Sequence, residues 1–325
     1  MNDRSVSLLD NYNIEVLRTF KGRSAILCET NQGLLILKEY EGHHERVLFQ
    51  DALLTMIQEK GFQNSERILK NKEQELLTRD QDGKFYVLKT YFEGRECDVR
   101  DMEECRQAVG TLAKLHRVSQ MEEPIPGAPV MRNAQTEFEK HNKELRRVRK
   151  FLKERSQKTD FEISLMKYYD YFFYLALQTT EELQDFQGEE AAHFVCHGDY
   201  QYHNIICSGG EMNLINFEKY ICDSPVRDLC LFMRKLLEKS NWVQNVGFEL
   251  IDAYNRERPL EKEEYQQLYY RLSYPEKFWK IVNFYFNSGK AWIPGKNLEK
   301  LNKVVDQEKD KKIFLEKFKS KYGVC

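Results

Sequence analysis

Residues 197–204 read HGDYQYHN. A histidine, an aspartate two positions on and an asparagine five positions beyond it form the spacing with which phosphotransferases surround a transferred phosphoryl group. Such transfer needs donors around the phosphates, a cation to bridge them, oxygen ligands for metal ions and a base beside the acceptor hydroxyl. Asp199 suits the base or orienting group, the amide oxygen of Asn204 suits Mg²⁺, and His197 suits bracing of the loop by hydrogen bonding. Twelve residues after Asn204, where a second metal-binding aspartate is required, the chain reads LINFE and offers Asn216. A neutral amide coordinates through oxygen but brings no charge, so metal affinity is expected to fall. Glu218 follows two residues later. Side chains two apart in an extended segment share a face, which makes its carboxylate a candidate replacement ligand; the plainer reading is an exposed loop glutamate.

Lys38 closes the apolar strand LLILK and is preceded by the turn FKGRSA. That order suits a phosphate-pairing lysine, with backbone N–H groups from Gly22 to Ser24 as phosphate donors. One glycine is a poor substitute for a full glycine-rich loop, and a strand-end lysine taken alone is more often an ordinary surface residue. The acidic partner of Lys38 stays open: Glu45, Asp51 and Glu59 all lie on the next predicted helix, and no spacing selects one.

The elements that must position these groups follow from periodicity. VLRTF, SAILCET and LLILKEY alternate like strands, the last two joined by a hairpin around Asn31 and Gly33. A helix is predicted from about Glu45 to Lys60, stopped by Gly61, and two further strands in QELLTRD and FYVLKTYF. The first part therefore reads β-β-β-α-β-β. After Phe92-Glu93-Gly94 the pattern turns helical, with DMEECRQAVGTLAKLHRVS, then FEKHNKELRRVRKFLKERS and ISLMKYYDYFFYLALQTTEEL. The last places Leu165, Tyr168, Tyr169, Phe172, Phe173 and Ala176 at core spacing. EEPIPGAP, residues 122 to 129, marks a loop, and Lys296 to Lys321 reads as two amphipathic helices ending near Gly323.

Composition sets the outer limits. The 325 residues suffice for one large core or two ordinary ones, and 41% hydrophobic content is that of a globular chain. Fifty Lys and Arg against 52 Asp and Glu give a formal charge of −2, which offers no overall basic field for nucleic acid. No signal peptide and no membrane span are read from the sequence, so synthesis in the cytoplasm is expected. The eight cysteines contain no CxxC pair and read as buried free thiols. His193 and His197 share HxxxH spacing, but Val195 and Gly198 favour an extended approach over a helical metal pair.

The order of strand lysine, YFEG, TLAKLH, HGDxxxxN, an apolar strand ending in NF, and DSPVRDL resembles the aminoglycoside phosphotransferase and choline kinase branch of the protein-kinase-like fold. More narrowly, EKGF, LKTYFEGRECD, INFEKYICDSPVRDLCLFMRKLLEKSNW and KAWIPGKNLEKL resemble the CotS family of spore coat proteins over nearly the whole chain. The resemblance implies an α+β, bilobal protein-kinase-like fold: a small antiparallel β lobe over residues 1–89, a hinge at 90–94, and a larger, mainly helical lobe over 95–325. It implies Asp199 as catalytic base, Lys38 as phosphate lysine, Asn204 as metal ligand, Asp228 as the buried acid that holds the catalytic loop, and backbone from Lys89 to Phe92, with Tyr91 inside it, against adenine. ATP and Mg²⁺ are the implied ligands, with weak or absent binding the consequence of Asn216. It also implies synthesis in the mother cell, a place in the spore coat and other coat proteins as partners. Two functions stand side by side: a non-catalytic or weakly active scaffold of coat assembly, and an ATP-dependent phosphotransferase acting on a small hydroxyl compound or a coat protein.

Overall fold

The computed structural model describes residues 3–22, 25–121, 133–184, 194–287 and 294–324. The chain divides into two compact units, one of Met1–Ala128 with Val195–Ile221, the other of Pro129–Phe194 with Cys222–Cys325.

In the first unit, β1 (Val16–Gly22), β2 (Ala25–Thr30) and β3 (Gly33–Tyr40) pair antiparallel. The hairpin expected around Asn31 and Gly33 forms with Thr30 opposite Gly33. Alternation along β2 and β3 buries Ile26, Cys28, Leu35 and Leu37 against Leu8, Leu9 and Tyr12 of the N-terminal turn. Helix α1 (His44–Glu59) follows. It stops where Gly61 N–H donates to Gln58 O and Phe62 N–H to Ile57 O, so a Schellman turn takes up the last carbonyls. Strands β4 (Ile68–Leu69), β5 (Thr78–Arg79) and β6 (Phe85–Thr90) complete the sheet in the order β1-β2-β3-β6-β4, with β5 also on β6. The strand expected over QELLTRD shrinks to Thr78–Arg79. Asn71 Oδ1 accepts from Glu73 N–H and Glu75 N–H, which winds that stretch into a loop before it can pair.

Short β7 (Arg95–Glu96) leads into α2 (Met102–Ser119), whose Asp101 cap accepts from Glu103 and Glu104 N–H. The chain re-enters this unit through β8 (Phe194–Cys196) and lays β9 (Ile205–Ser208) between β7 and β10 (Glu211–Leu214). It leaves again at β11 (Ile221–Asp223).

The second unit is helical: α3 (Ala134–Glu154), α4 (Asp160–Gln184), α5 (Val226–Lys239), α6 (Gln244–Glu257), α7 (Lys262–Ser273), α8 (Glu276–Asn287) and α9 (Pro294–Tyr322). The aromatic stripe of α4 is core, as its spacing suggests: Leu165, Tyr169, Phe172, Phe173 and Ala176 are buried with Phe278, Ile281 and Val282 of α8. The tail corrects an expectation. It is one continuous helix, α9, whose Leu301, Phe314 and Phe318 are all buried, so a single apolar seam runs through what reads locally as two segments. EEPIPGAP, His193 and Ser24 lie outside the described residues. Among the described residues no helix is long and apolar enough to cross a membrane.

Candidate active site

The HGDYQYHN loop is held by its own histidine. Asp199 N–H donates to His197 Nδ1 at 3.2 Å, which leaves Nε2–H to donate to Ile215 O at 2.9 Å. His197 is fully buried beside Phe217 and braces the loop as expected. Gly198 has φ +76°, and a Cβ there would come within 1.9 Å of Lys219 O, so only glycine permits this approach. The turn then presents Asp199 and Asn204 together, since Asn204 Nδ2–H donates to Asp199 O at 2.8 Å.

Asn216 lies just past β10 in the left-handed conformation, φ 65° and ψ 53°, and residues 217–219 make a tight turn. The extended segment expected to carry Asn216 and Glu218 on one face is therefore absent. Their side chains nevertheless meet at Lys38 Nζ, which donates to Asn216 Oδ1 at 2.9 Å and to Glu218 Oε1 at 3.0 Å. Asn216 Nδ2–H donates to Asn204 Oδ1 at 2.9 Å. This orientation of the amide is fixed by Lys38, since the flipped group would set a donor against an ammonium. The acidic partner of Lys38 is thus Glu218, and not Glu45, Asp51 or Glu59 on α1.

Two charged residues of this network escaped the sequence reading. Lys89 Nζ donates to Glu66 Oε1 at 3.0 Å and to Glu218 Oε1 at 2.7 Å, and the side chains of Lys89 and Glu66 are each only 1% exposed. Glu66 also accepts the N–H groups of Asn216 and Phe217 at 2.9 and 3.0 Å, so one buried carboxylate anchors the turn that displays Asn216. The register held the clue. Lys38 pairs with Val87 and Ile36 with Lys89, which puts both lysines diagonally on one face of the β3–β6 ladder.

Burial would raise the Glu218 carboxyl, but the Lys89 and Lys38 ammoniums beside it hold it well below the usual carboxylate range. At Asp199 burial is likewise outweighed, here by Lys219 Nζ at 2.9 Å from Oδ2 and by Gln201, which donates to Oδ1. Both oxygens of the candidate base are therefore occupied. Arg46 of α1 closes one side, donating to the carbonyls of Glu218 and Tyr220.

These groups surround a cleft of about 880 Å³ lined by Gly22, Lys38, Arg46, Asp199, Asn204, Asn216, Glu218 and Lys219, among others. Gly22, of the expected phosphate turn, lines this cleft. Tyr91 is not among the lining residues, and its N–H donates to Leu34 O at 2.8 Å. Asp228, in the first turn of α5, is fully buried in the second unit.

A family described as spore coat putative kinase YutH matches residues 5–318. Spore coat protein S of Bacillus subtilis (strain 168) is 24% identical over 323 residues, covering 93% of this chain and 88% of its own. Among solved structures, an aminoglycoside phosphotransferase from Alicyclobacillus acidocaldarius superposes with a TM-score of 0.85 at 17% identity, over 98% of this chain and 96% of that one. A spectinomycin phosphotransferase determined with ADP and spectinomycin gives a TM-score of 0.67 at 12% identity, over 93% and 97%. The fold is that of the aminoglycoside phosphotransferases, an antiparallel sheet with a mainly helical region.

Proposed function

Because the chain belongs to the spore coat putative kinase YutH family, we propose that it is a kinase-like component of the spore coat whose cleft transfers phosphoryl groups barely or not at all, and that it serves coat assembly as a scaffold. One observation carries the reading: the amide of Asn216 donates to Asn204 Oδ1 while its own oxygen accepts from Lys38. An aspartate at 216 could not make the first bond. The substitution therefore removes a charge and also engages the oxygen of the other candidate ligand.

The donor set does not fit Mg²⁺. That ion favours anionic oxygen in near-octahedral geometry, whereas the groups gathered here are two neutral amides, each already hydrogen-bonded, and the Glu218 carboxylate held between two ammoniums. The cleft is lined by Lys21, Lys38, Arg46 and Lys219 and by as many carboxylates, Glu39, Glu41, Asp199 and Glu218; its cations support recognition of nucleotide phosphates without metal. In this reading residues 1–89 form the nucleotide lobe, 90–94 the hinge and 95–325 the helical lobe. Synthesis in the mother cell precedes incorporation into the coat, where the partners are other coat proteins, in keeping with the similar spore coat protein S.

The test is a thermal-shift titration of the full chain with ATP, with and without Mg²⁺, since any ligand that favours the native state raises its apparent stability. The expected outcome is a shift that Mg²⁺ does not enlarge, and no turnover of ATP. A shift that appears only with Mg²⁺, together with steady phosphoryl transfer, would favour the phosphotransferase reading, in which Asp199 acts on a small hydroxyl compound or a coat protein.

A further inference from the structure

Away from the cleft, three cysteines and one glutamate that lie far apart in the sequence converge on one face of the β7-β9-β10 sheet. Arg95 pairs with Cys207, and Cys207 with Met212, so these side chains share a face, and Cys97, two residues beyond Arg95, joins them diagonally. Gly94 allows the close approach, since a Cβ there would stand 2.1 Å from Cys207 O. Over this face lies the first turn of α2, which brings Glu104 and Cys105. Cys97 Sγ, Cys207 Sγ and a Glu104 carboxylate oxygen all lie within 4.8 Å of one another.

We propose that Cys97, Cys207 and Glu104 bind a borderline-soft divalent cation, Zn²⁺ in chemical class, with the neighbouring Cys105 thiol available for the fourth position. The geometry is close to what such an ion requires. Bonds of about 2.3 Å to sulfur and about 2.1 Å to oxygen in a tetrahedron set an S···O edge of about 3.6 Å; Cys207 Sγ and Glu104 Oε2 are 3.3 Å apart. Mixed thiolate and carboxylate donors select zinc over magnesium or calcium. Glu104 is also held as ligating carboxylates are: Arg95 grips both of its oxygens and Asp98 N–H donates to Oε2 at 2.9 Å. Glu104, 14% exposed and braced by an arginine, stands beside the buried Cys97 and the half-buried Cys207 and accepts a hydrogen bond from Cys207 Sγ. Cys97 and Cys105 are hydrogen-bonded to each other. Uptake of one M²⁺ by the two thiols and the carboxylate releases two protons to solvent and changes no oxidation state. Two thiolates, one carboxylate, the ion and Arg95 then sum to zero charge. The bound ion ties the segment after Gly94 and the start of α2 to β9, the strand that begins directly after Asn204, and so fixes the HGDYQYHN loop from behind.

The experiment uses the purified full chain under reducing conditions. Elemental analysis is expected to find one zinc per chain after dialysis against Zn²⁺, and Co²⁺ in its place is expected to give thiolate charge-transfer and tetrahedral d–d absorption. Cys97→Ser, Cys207→Ser and Glu104→Gln should each weaken Zn²⁺ binding by at least about tenfold; Glu104→Gln, on the partly exposed helix start, keeps the test open if a cysteine variant fails to fold. Absence of stoichiometric metal in wild type overturns the proposal, as does binding that survives all three substitutions. Recovery of the chain with Cys97 joined by a disulfide to Cys105 or Cys207, and no metal uptake after reduction, would overturn it in favour of a redox pair.

Discussion

At the scale of single residues the proposed reading rests on the amide of Asn216, which bridges Lys38 and Asn204. The left-handed backbone there suits asparagine and aspartate alike, so Asn216→Asp should fold as the parent does. It removes the donor to Asn204 Oδ1 and places a carboxylate next to Lys38 and Glu218. In a partly enclosed site a carboxylate attracts Mg²⁺ far more strongly than an amide does. Isothermal titration is expected to show Mg·ATP binding tighter than wild type by at least about tenfold, roughly 1.4 kcal/mol. Equal affinities for the two proteins would locate the defect elsewhere, with the Lys219–Asp199 pair the next suspect.

At the scale of elements, β3 and β6 hold two lysines on one face, and their surroundings make them energetically unlike. Lys38 is 32% exposed and its pair with Glu218 is screened by solvent, so Lys38→Ala should cost no more than about 1 kcal/mol of stability. Lys89 is buried with Glu66, and its loss strands a carboxylate that three further donors, the N–H groups of Asn216 and Phe217 and the amide of Gln50, satisfy only in part. Lys89→Ala should therefore cost about 3–5 kcal/mol. Urea unfolding measures both, through the midpoint at unchanged slope. Similar costs for the two variants would mean that Lys89 reaches water in solution.

At the scale of the whole molecule the question is whether the cleft or the surface of the fold does the work in a sporulating cell. A scaffold needs the shape and not the base. Asp199→Ala removes a carboxylate whose Lys219 partner is 68% exposed, so the variant should fold and reach the coat as the wild type does. Fluorescence localisation in sporulating cells, with melting of the purified variant as the folding control, decides it. A well-folded Asp199→Ala protein that fails to enter the coat would transfer the case to the phosphotransferase.

How much of this the sequence carried depends on how local each signal is. The hairpin at Gly33, the stop of α1 at Gly61 and the aromatic stripe of α4 were legible because each rests on backbone preference or periodicity within a few residues. The loop of His197, Asp199 and Asn204 was legible because all three lie within residues 197–204, and its histidine does brace the turn. Asn216 could be singled out by type and distance, but its hydrogen bond to Asn204 and its left-handed backbone could not. Lys89 with Glu66, the choice of Glu218 as partner of Lys38, and the meeting of Cys97, Cys105 and Cys207 with Glu104 had no local mark at all. Those pairings arise where strands from distant parts of the chain fall into register, and a side chain's partner is then set by which face and which rung it occupies. The continuity of α9 is of the same kind: locally it reads as two helices, and only the packing of Leu301, Phe314 and Phe318 along one buried seam makes it one.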